Sequence, residues 1–363
     1  MVKWLDRLQQ RSRAAGFAIA VVYKYVDDQA GYLAALITYY AFVSLFPLLL
    51  LLTTLLGVVL SGRPQWRDEI VSAAIDQFPV IGDQLSRPEA LSGGTTAVII
   101  GIAGALYGGL GVGNALQNAM NTVWAVPRYT RPDPIRARLY SLMLLIVLGS
   151  AVIGTTVLTA VGRAWAGLGF LGTAGVVLAS LALNTAVCVA AFRVTTVRPL
   201  SYRDVLPGAI TAAALWQMLQ WFGAAYVAHV LGSASATNSV FAIVLGLMAF
   251  LYLVSTSLLV CAEINAVRVN RLHPRALLTP FTDNVELTEA DRKMYAGQAE
   301  AQQAKGFQRV DVTFHKPEAD DDTGVCGPDG QGMAEAHPRS GGHTHERHQP
   351  NAVGGPHGPE GST

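Results

Sequence analysis

The sequence predicts an all-α fold: a polytopic integral membrane bundle of six transmembrane helices with both termini in the cytoplasm. Of the 363 residues, 51% are hydrophobic and only 14% are charged, whereas a soluble domain carries about 25% charged residues. The deficit is concentrated in stretches. Residues 29–62, 90–127, 139–162, 164–192 and 205–262 contain no Asp, Glu, Lys or Arg, and the last of these runs is 58 residues long. That is room for two crossings of about 20 residues each. The arginines and lysines between these runs fall on alternate connections, which sets the orientation.

The N-terminal segment, residues 1–28, reads as a retained, basic amphipathic stretch and not as a secretory signal. Lys3, Arg7, Arg11 and Arg13 precede a short, mixed apolar run with no small-residue cleavage pattern. Trp4, Leu5, Leu8, Ala15, Ile19 and Val22 form an apolar stripe against Arg7, Arg11 and Lys24. Such a helix lies along the anionic cytoplasmic leaflet or seals the underside of a bundle.

Residues 29–272 form the transmembrane domain, with spans near 34–60, 94–117, 139–161, 169–192, 206–230 and 239–265. The first contains Pro47, which removes one backbone donor and predicts a kink near 43–47, with Ser44 placed to satisfy freed backbone groups. The connection at 61–93 carries Ile70, Val71, Ala74, Ile75 and Phe78 at near-helical spacing, an expected short surface helix. Pro207 suits the first turn of the fifth span. Ser235, Thr237 or Asn238 is available to cap the sixth.

Fifteen Lys/Arg lie in the N-terminal segment, the second–third and fourth–fifth connections and the stretch after the last span. The opposite side has four, Arg63, Arg67, Arg87 and Arg163. The positive-inside rule therefore puts both termini in the cytoplasm, as an even number of spans requires.

Residues 273–363 read as a cytoplasmic tail. Residues 280–363 hold 7 Lys/Arg against 14 Asp/Glu, while residues 1–279 hold 19 against 11. Thr288 and Asp291 are spaced to cap one polar helix reaching to about Lys305. Beyond Pro317 the Gly-, Pro-, His- and Asp-rich composition predicts disorder. His343, His345 and His348 lack a preorganised cage, so no metal site is expected. Cys188 and Cys261 sit in apolar runs and read as small buried hydrophobes.

Inside the apolar body, Asn114, Gln117, Asn118 and Asn121 recur at i, i+3, i+4 and i+7 on one helix face. Amides are costly against lipid, so this face is expected to turn inward, either bonding helix to helix or lining a polar pathway. Just before it, Gly104–Gly108 and Gly109–Gly113 form two small-xxx-small frames that permit close helix approach and allow a homo-oligomer. Glu263 is the one charged side chain within the predicted spans. Its place near the inner end predicts interfacial hydration or pairing with a loop arginine such as Arg268, the alternative being a coupling role in proton or cation movement, with Asn265 in the same polar cap.

Enzymatic readings find no anchor. The chain has no GxSxG elbow, HExxH helix, P-loop lysine or CxxC pair, and His229 and His273 fall on opposite sides of the predicted bilayer. No catalytic residue, metal or cofactor is expected. Nor is nucleic acid expected as a partner, because topology already accounts for the cytoplasmic arginines.

Several blocks resemble the YihY/BrkB family of bacterial inner-membrane proteins, once labelled ribonuclease BN. They are AALITYYAFVSLFPLLLLLTTLLG at 34–57, GNALQNAMNTVWAVPR at 113–128, LPGAITAAALWQMLQW at 206–221 and LLVCAEINAVRV at 258–269. Asn121 and Trp124 match the family's Asn-x-x-Trp element, and Cys261 stands where glycine is usual. The resemblance covers about residues 15–272. It implies six inner-membrane helices with cytoplasmic ends. Two functions stay open, a transporter or lipid translocator and a non-catalytic envelope structural or interaction protein. Membrane lipids are the expected partner, and the residues do not specify a substrate.

Overall fold

The computed structural model describes residues 12–59, 95–164, 169–233, 239–277, 279 and 285–315. These residues form eight α-helices and one 3-10 turn, with no strand among them. They are α1 (Arg13–Asp27), α2 (Ala30–Val59), α3 (Thr95–Val123), α4 (Pro134–Ala164), α5 (Phe170–Thr195), α6 (Tyr202–Ser233), α7 (Ser239–Asn270) and α8 (Glu289–Ala301). The expected surface helix at 61–93, the stripe residues Trp4, Leu5 and Leu8, the capping candidates Ser235, Thr237 and Asn238, and the tail beyond Pro317 lie outside the described residues.

The long helices α2 to α7 pack in chain order, and α7 returns against α2, which closes a ring; α3 also touches α5 and α7 across it. Four described stretches are long and apolar enough to cross a membrane: Ile99–Val123, Pro134–Thr155, Ala174–Thr195 and Val244–Asn270. Their outer surfaces carry exposed Ile99, Ile146, Ile153 and Leu178, the apolar belt that a helical bundle presents to lipid. Each helix outruns its predicted span at the arginine-rich end: α3 continues to Val123, α4 begins at Pro134, α6 begins at Tyr202 and α7 ends at Asn270. These added turns carry Arg136, Arg138, Arg193, Arg203 and Arg268.

The described core lies toward that same end. It joins Ala34 and Ile37 of α2, Met120 and Val123 of α3, Phe192 of α5, Val205 and Ala209 of α6, and Leu259 and Ala262 of α7. Alanine is its commonest residue, in keeping with helices in lipid associating by close backbone approach without an aqueous hydrophobic drive. A second cluster joins Ala20 and Val21 of α1 to Val267, Leu272 and Met294.

Helix α1 buries the lysine that the sequence sets opposite the apolar stripe and leaves members of the stripe exposed. Gly16, Ala20, Val21 and Lys24 are buried, whereas Ala15 and Val22 are exposed, Val22 to 59%. The lysine assigned to the solvated face is inside, and the apolar stripe is outside. An exposed stripe is what a helix lying along a leaflet requires, so only the place of Lys24 departs from the expectation. Ser12 caps the helix, and Gln29, at φ 52°, turns the chain into α2.

The first long helix continues through Pro47. Ser44 donates to the carbonyl of Ala41 at 2.8 Å, and not to that of Val43, the acceptor whose helical donor Pro47 removes. The polar helix after Pro280 forms as the Thr288–Asp291 spacing predicts, with a reciprocal capping box, and ends at Ala301 rather than near Lys305.

Candidate functional site

The glycine frames of α3 serve two different neighbours. A Cβ at Gly104 would sit 2.6 Å from Pro47 Cγ, and one at Gly108 would meet the Ser44 backbone, so this frame packs on α2. Gly109 and Gly113 face Leu145 and Ser141 of α4, at 3.0 and 2.5 Å from such a Cβ. α3 is thereby wedged between α2 and α4 at backbone distance.

The amide stripe splits in the same way. Gln117 is buried and its Nε2 donates to Ala137 O and to Ser141 Oγ, both at 2.9 Å. Buried Asn121 accepts from the Val197 backbone N–H at 3.1 Å, tying α3 to the α5–α6 connection. Asn118 is exposed and accepts from Arg131 Nη1 at 2.8 Å. Asn114 is exposed too. The four do not turn inward together: the face spans about 100° of the helix, and its edge reaches past the groove that α4 fills.

Beside Gln117 opens a cavity of about 1150 Å³, above the roughly 300–1,000 Å³ usual for small-molecule pockets. Its back wall is α5, from Leu178 to Thr195; α4 supplies Tyr140 and Met143, and α6 supplies Leu206 and Ile210. Leu178, Tyr140, Met143, Leu206 and Ile210 are also exposed on the outer surface, so the cavity opens sideways between α4 and α6. At its arginine-rich end stand Arg136, Arg193 and Arg198. Arg193 Nε donates to Leu200 O at 3.0 Å while its guanidinium lies 4.0 Å over the Tyr202 ring. Arg198 Nη1 donates to Asn270 Oδ1 at 3.2 Å.

Glu263 has 0% exposure, and it pairs with Lys24 of α1 at 3.1 Å. The expected interfacial hydration and loop-arginine partner are both replaced: Arg268 donates instead to the Arg203 carbonyl. Lys24 is only 2% exposed and also pairs with Asp28, whose other oxygen accepts from Gln298 of α8 at 2.9 Å. Burial works against the Lys24 ammonium, but the Glu263 and Asp28 carboxylates more than offset it and hold its pKa above the ordinary lysine value.

Nearby, buried Arg275 bridges Asp291 of the α8 capping box at 2.7 Å and Asp27 of α1 at 2.5 Å. Burial pushes the Asp27 carboxyl above its usual range, and Arg275 opposes this only in part. Two ionic clusters thus clamp α1 between α7 and α8. Asn265 stays in the polar cap, where it receives the Gly208 N–H at 2.8 Å and donates to Val205 O at 3.1 Å, bracketing Pro207.

Sequence reasoning missed Lys24, Asp28 and Arg275 as partners. The available signal was the Lys24–Asp28 i,i+4 spacing, together with a lone carboxylate in an apolar helix that requires a cation.

Among known proteins, a family model described as Virulence factor BrkB matches residues 21–284. A UPF0761 membrane protein of Stenotrophomonas maltophilia (strain K279a) is 27% identical over 239 residues, which is 62% of this chain and 54% of that protein. A UPF0761 membrane protein of Xanthomonas campestris pv. campestris (strain B100) is 25% identical over 302 residues, 77% of this chain and 67% of that one. The chain therefore spans about half the length of the Stenotrophomonas relative. No solved structure matches the chain.

Proposed function

Because the chain belongs to the BrkB virulence-factor family, and similar proteins bear the name of membrane proteins, we propose that it crosses the bacterial inner membrane six times. Both termini are cytoplasmic in this reading, and the protein moves an amphiphile between the bilayer leaflets without catalysing a reaction. The observation that supports it is the lateral cavity, apolar along α5 and cationic at one end. A water-soluble substrate would not need an opening between lipid-facing helices, whereas an amphiphile enters from the bilayer itself. The arginine-rich end of the cavity then lies at the cytoplasmic leaflet.

The test is reconstitution of the full chain in liposomes carrying a lipid with a fluorescent headgroup, followed by bleaching from outside with a membrane-impermeant reductant. The expected result is bleaching of the inner-leaflet pool, slowed about tenfold or more by Ala186→Trp, which fills the cavity wall. Bleaching no faster than in protein-free vesicles removes the translocation reading. The envelope structural role then replaces it, a role favoured by the helix-to-helix bonding of Gln117 and Asn121.

A further inference from the structure

We propose that the cavity beside α5 is a binding site for one phospholipid of net negative headgroup charge, its phosphate gripped by Arg136, Arg193 and Arg198. This rests on the amphiphile reading of the cavity but not on transport. Three features of the cavity identify the occupant.

The first is length. Leu178 and Arg193 both line the wall, and fifteen residues of helix rise about 22 Å. One leaflet of a bilayer about 40–45 Å thick, headgroups included, spans the same distance. The second is polarity along that length. The Leu178 end is walled by leucine, alanine and methionine, while all three charged lining residues gather at the other end. The third is charge: the three are arginines, and the described lining has no carboxylate to neutralise them.

Two of the arginines are also held in place. Arg193 is fixed through Nε and the Tyr202 ring, which leaves its terminal N–H groups to donate. Arg198 is steadied by Asn270 and lies 5.5 Å from the Trp124 ring. Guanidinium groups set in this way suit the oxygens of a phosphate.

The experiment is native mass spectrometry of the purified full chain, titrated with phosphatidylglycerol or phosphatidylcholine of identical acyl chains. The expected result is at least tenfold tighter retention of phosphatidylglycerol. An arginine near anionic lipid is worth about fivefold, so Arg136→Gln/Arg193→Gln/Arg198→Gln erases the preference. Arg138→Gln/Arg203→Gln, which removes charge from the same end but outside the cavity, leaves it unchanged.

Equal retention of the two lipids by the wild-type chain overturns the proposal. An equal loss in the control pair also overturns it, because the attraction is then diffuse. Displacement of phosphatidylglycerol by millimolar inorganic phosphate makes the site a free-phosphate site and removes the lipid. If the triple variant does not fold, Arg136→Gln alone carries the test with an expected fivefold loss, and an unchanged preference refutes it. Selective binding without leaflet flux removes only the transport reading, whereas flux with no headgroup preference removes only this one.

Discussion

Lys24 holds the N-terminal clamp together, and its removal should be far more damaging than removal of either carboxylate it faces. Lys24, Asp28 and Glu263 are all essentially excluded from solvent, with side-chain exposures of 2%, 2% and 0%. Glu263→Gln leaves a buried Lys24–Asp28 pair, and Asp28→Asn leaves a buried Lys24–Glu263 pair. Each is charge-balanced, so each should cost about 1 kcal/mol, the worth of the bond lost. Lys24→Met instead leaves two carboxylates facing each other without a cation. Breaking a buried pair from one side costs about 3–5 kcal/mol. At about 2–4 °C per kcal/mol for a domain of this size, the melting temperature should fall by roughly 6–20 °C. The assay is a thermal series at one heating rate, scored by the fraction that remains monodisperse on gel filtration, beside limited trypsin cleavage to detect release of α1. A Lys24→Met protein as stable as wild type, or one less affected than Glu263→Gln, would refute the assignment of Lys24 as the balancing charge.

Further predictions rest on the same geometry. With the Lys24 pKa above its ordinary 10.5, the stability it contributes is fully present below about pH 10.5 and is lost as pH rises through the raised value. The melting temperature, followed from pH 7 to 11.5, should show no loss from this group before 10.5, and a Lys24-dependent fall between pH 8 and 10 would contradict the pairing. Gly108→Ala should destabilise by about 1–3 kcal/mol, because its Cβ would lie 2.5 Å from the Ser44 Cα. Gly149→Ala should gain up to about 1 kcal/mol, since nothing lies within 4 Å of its Cβ position; equal thermal shifts in the two variants would contradict the packing of α3. Asn265→Leu should cost about 1–3 kcal/mol by leaving the Gly208 N–H unpaired, detectable as a lower midpoint in a denaturation series.

The helical class was legible because uncharged runs of membrane length have few other solutions. The Thr288–Asp291 cap was legible because both halves of its bond lie within four residues. Helix length was harder to read. Hydropathy marks where a helix leaves the hydrocarbon, whereas hydrogen bonding carries α3 on to Val123 and α7 to Asn270.

The inward turn of Lys24 was not legible, because lipid and protein interior are both apolar and a stripe of Val22 and Ala15 does not state which of them it faces. Glu263 pointed to a cation, but the cation lies 239 positions upstream by residue number, and spacing carries no information at that range. The amide stripe was identified correctly as one face of a helix. Which members of it meet α4 depends on crossing geometry, and the sequence of α3 alone does not contain that.

The clamp on α1 also orders events during synthesis. Of the described helices α1 is made before the others, yet the partners of Lys24, Asp27 and Asp28 outside it come more than 230 residues later. Arg275 follows Asp27 by 248 residues, and Gln298 follows Asp28 by 270. At about 5–20 residues per second, Lys24 waits roughly 12–50 s before Glu263 exists to receive it. Helix α1 is therefore clamped only after α7 and α8 are made, and a chain cut before α7 lacks the Glu263, Arg275 and Gln298 that hold it.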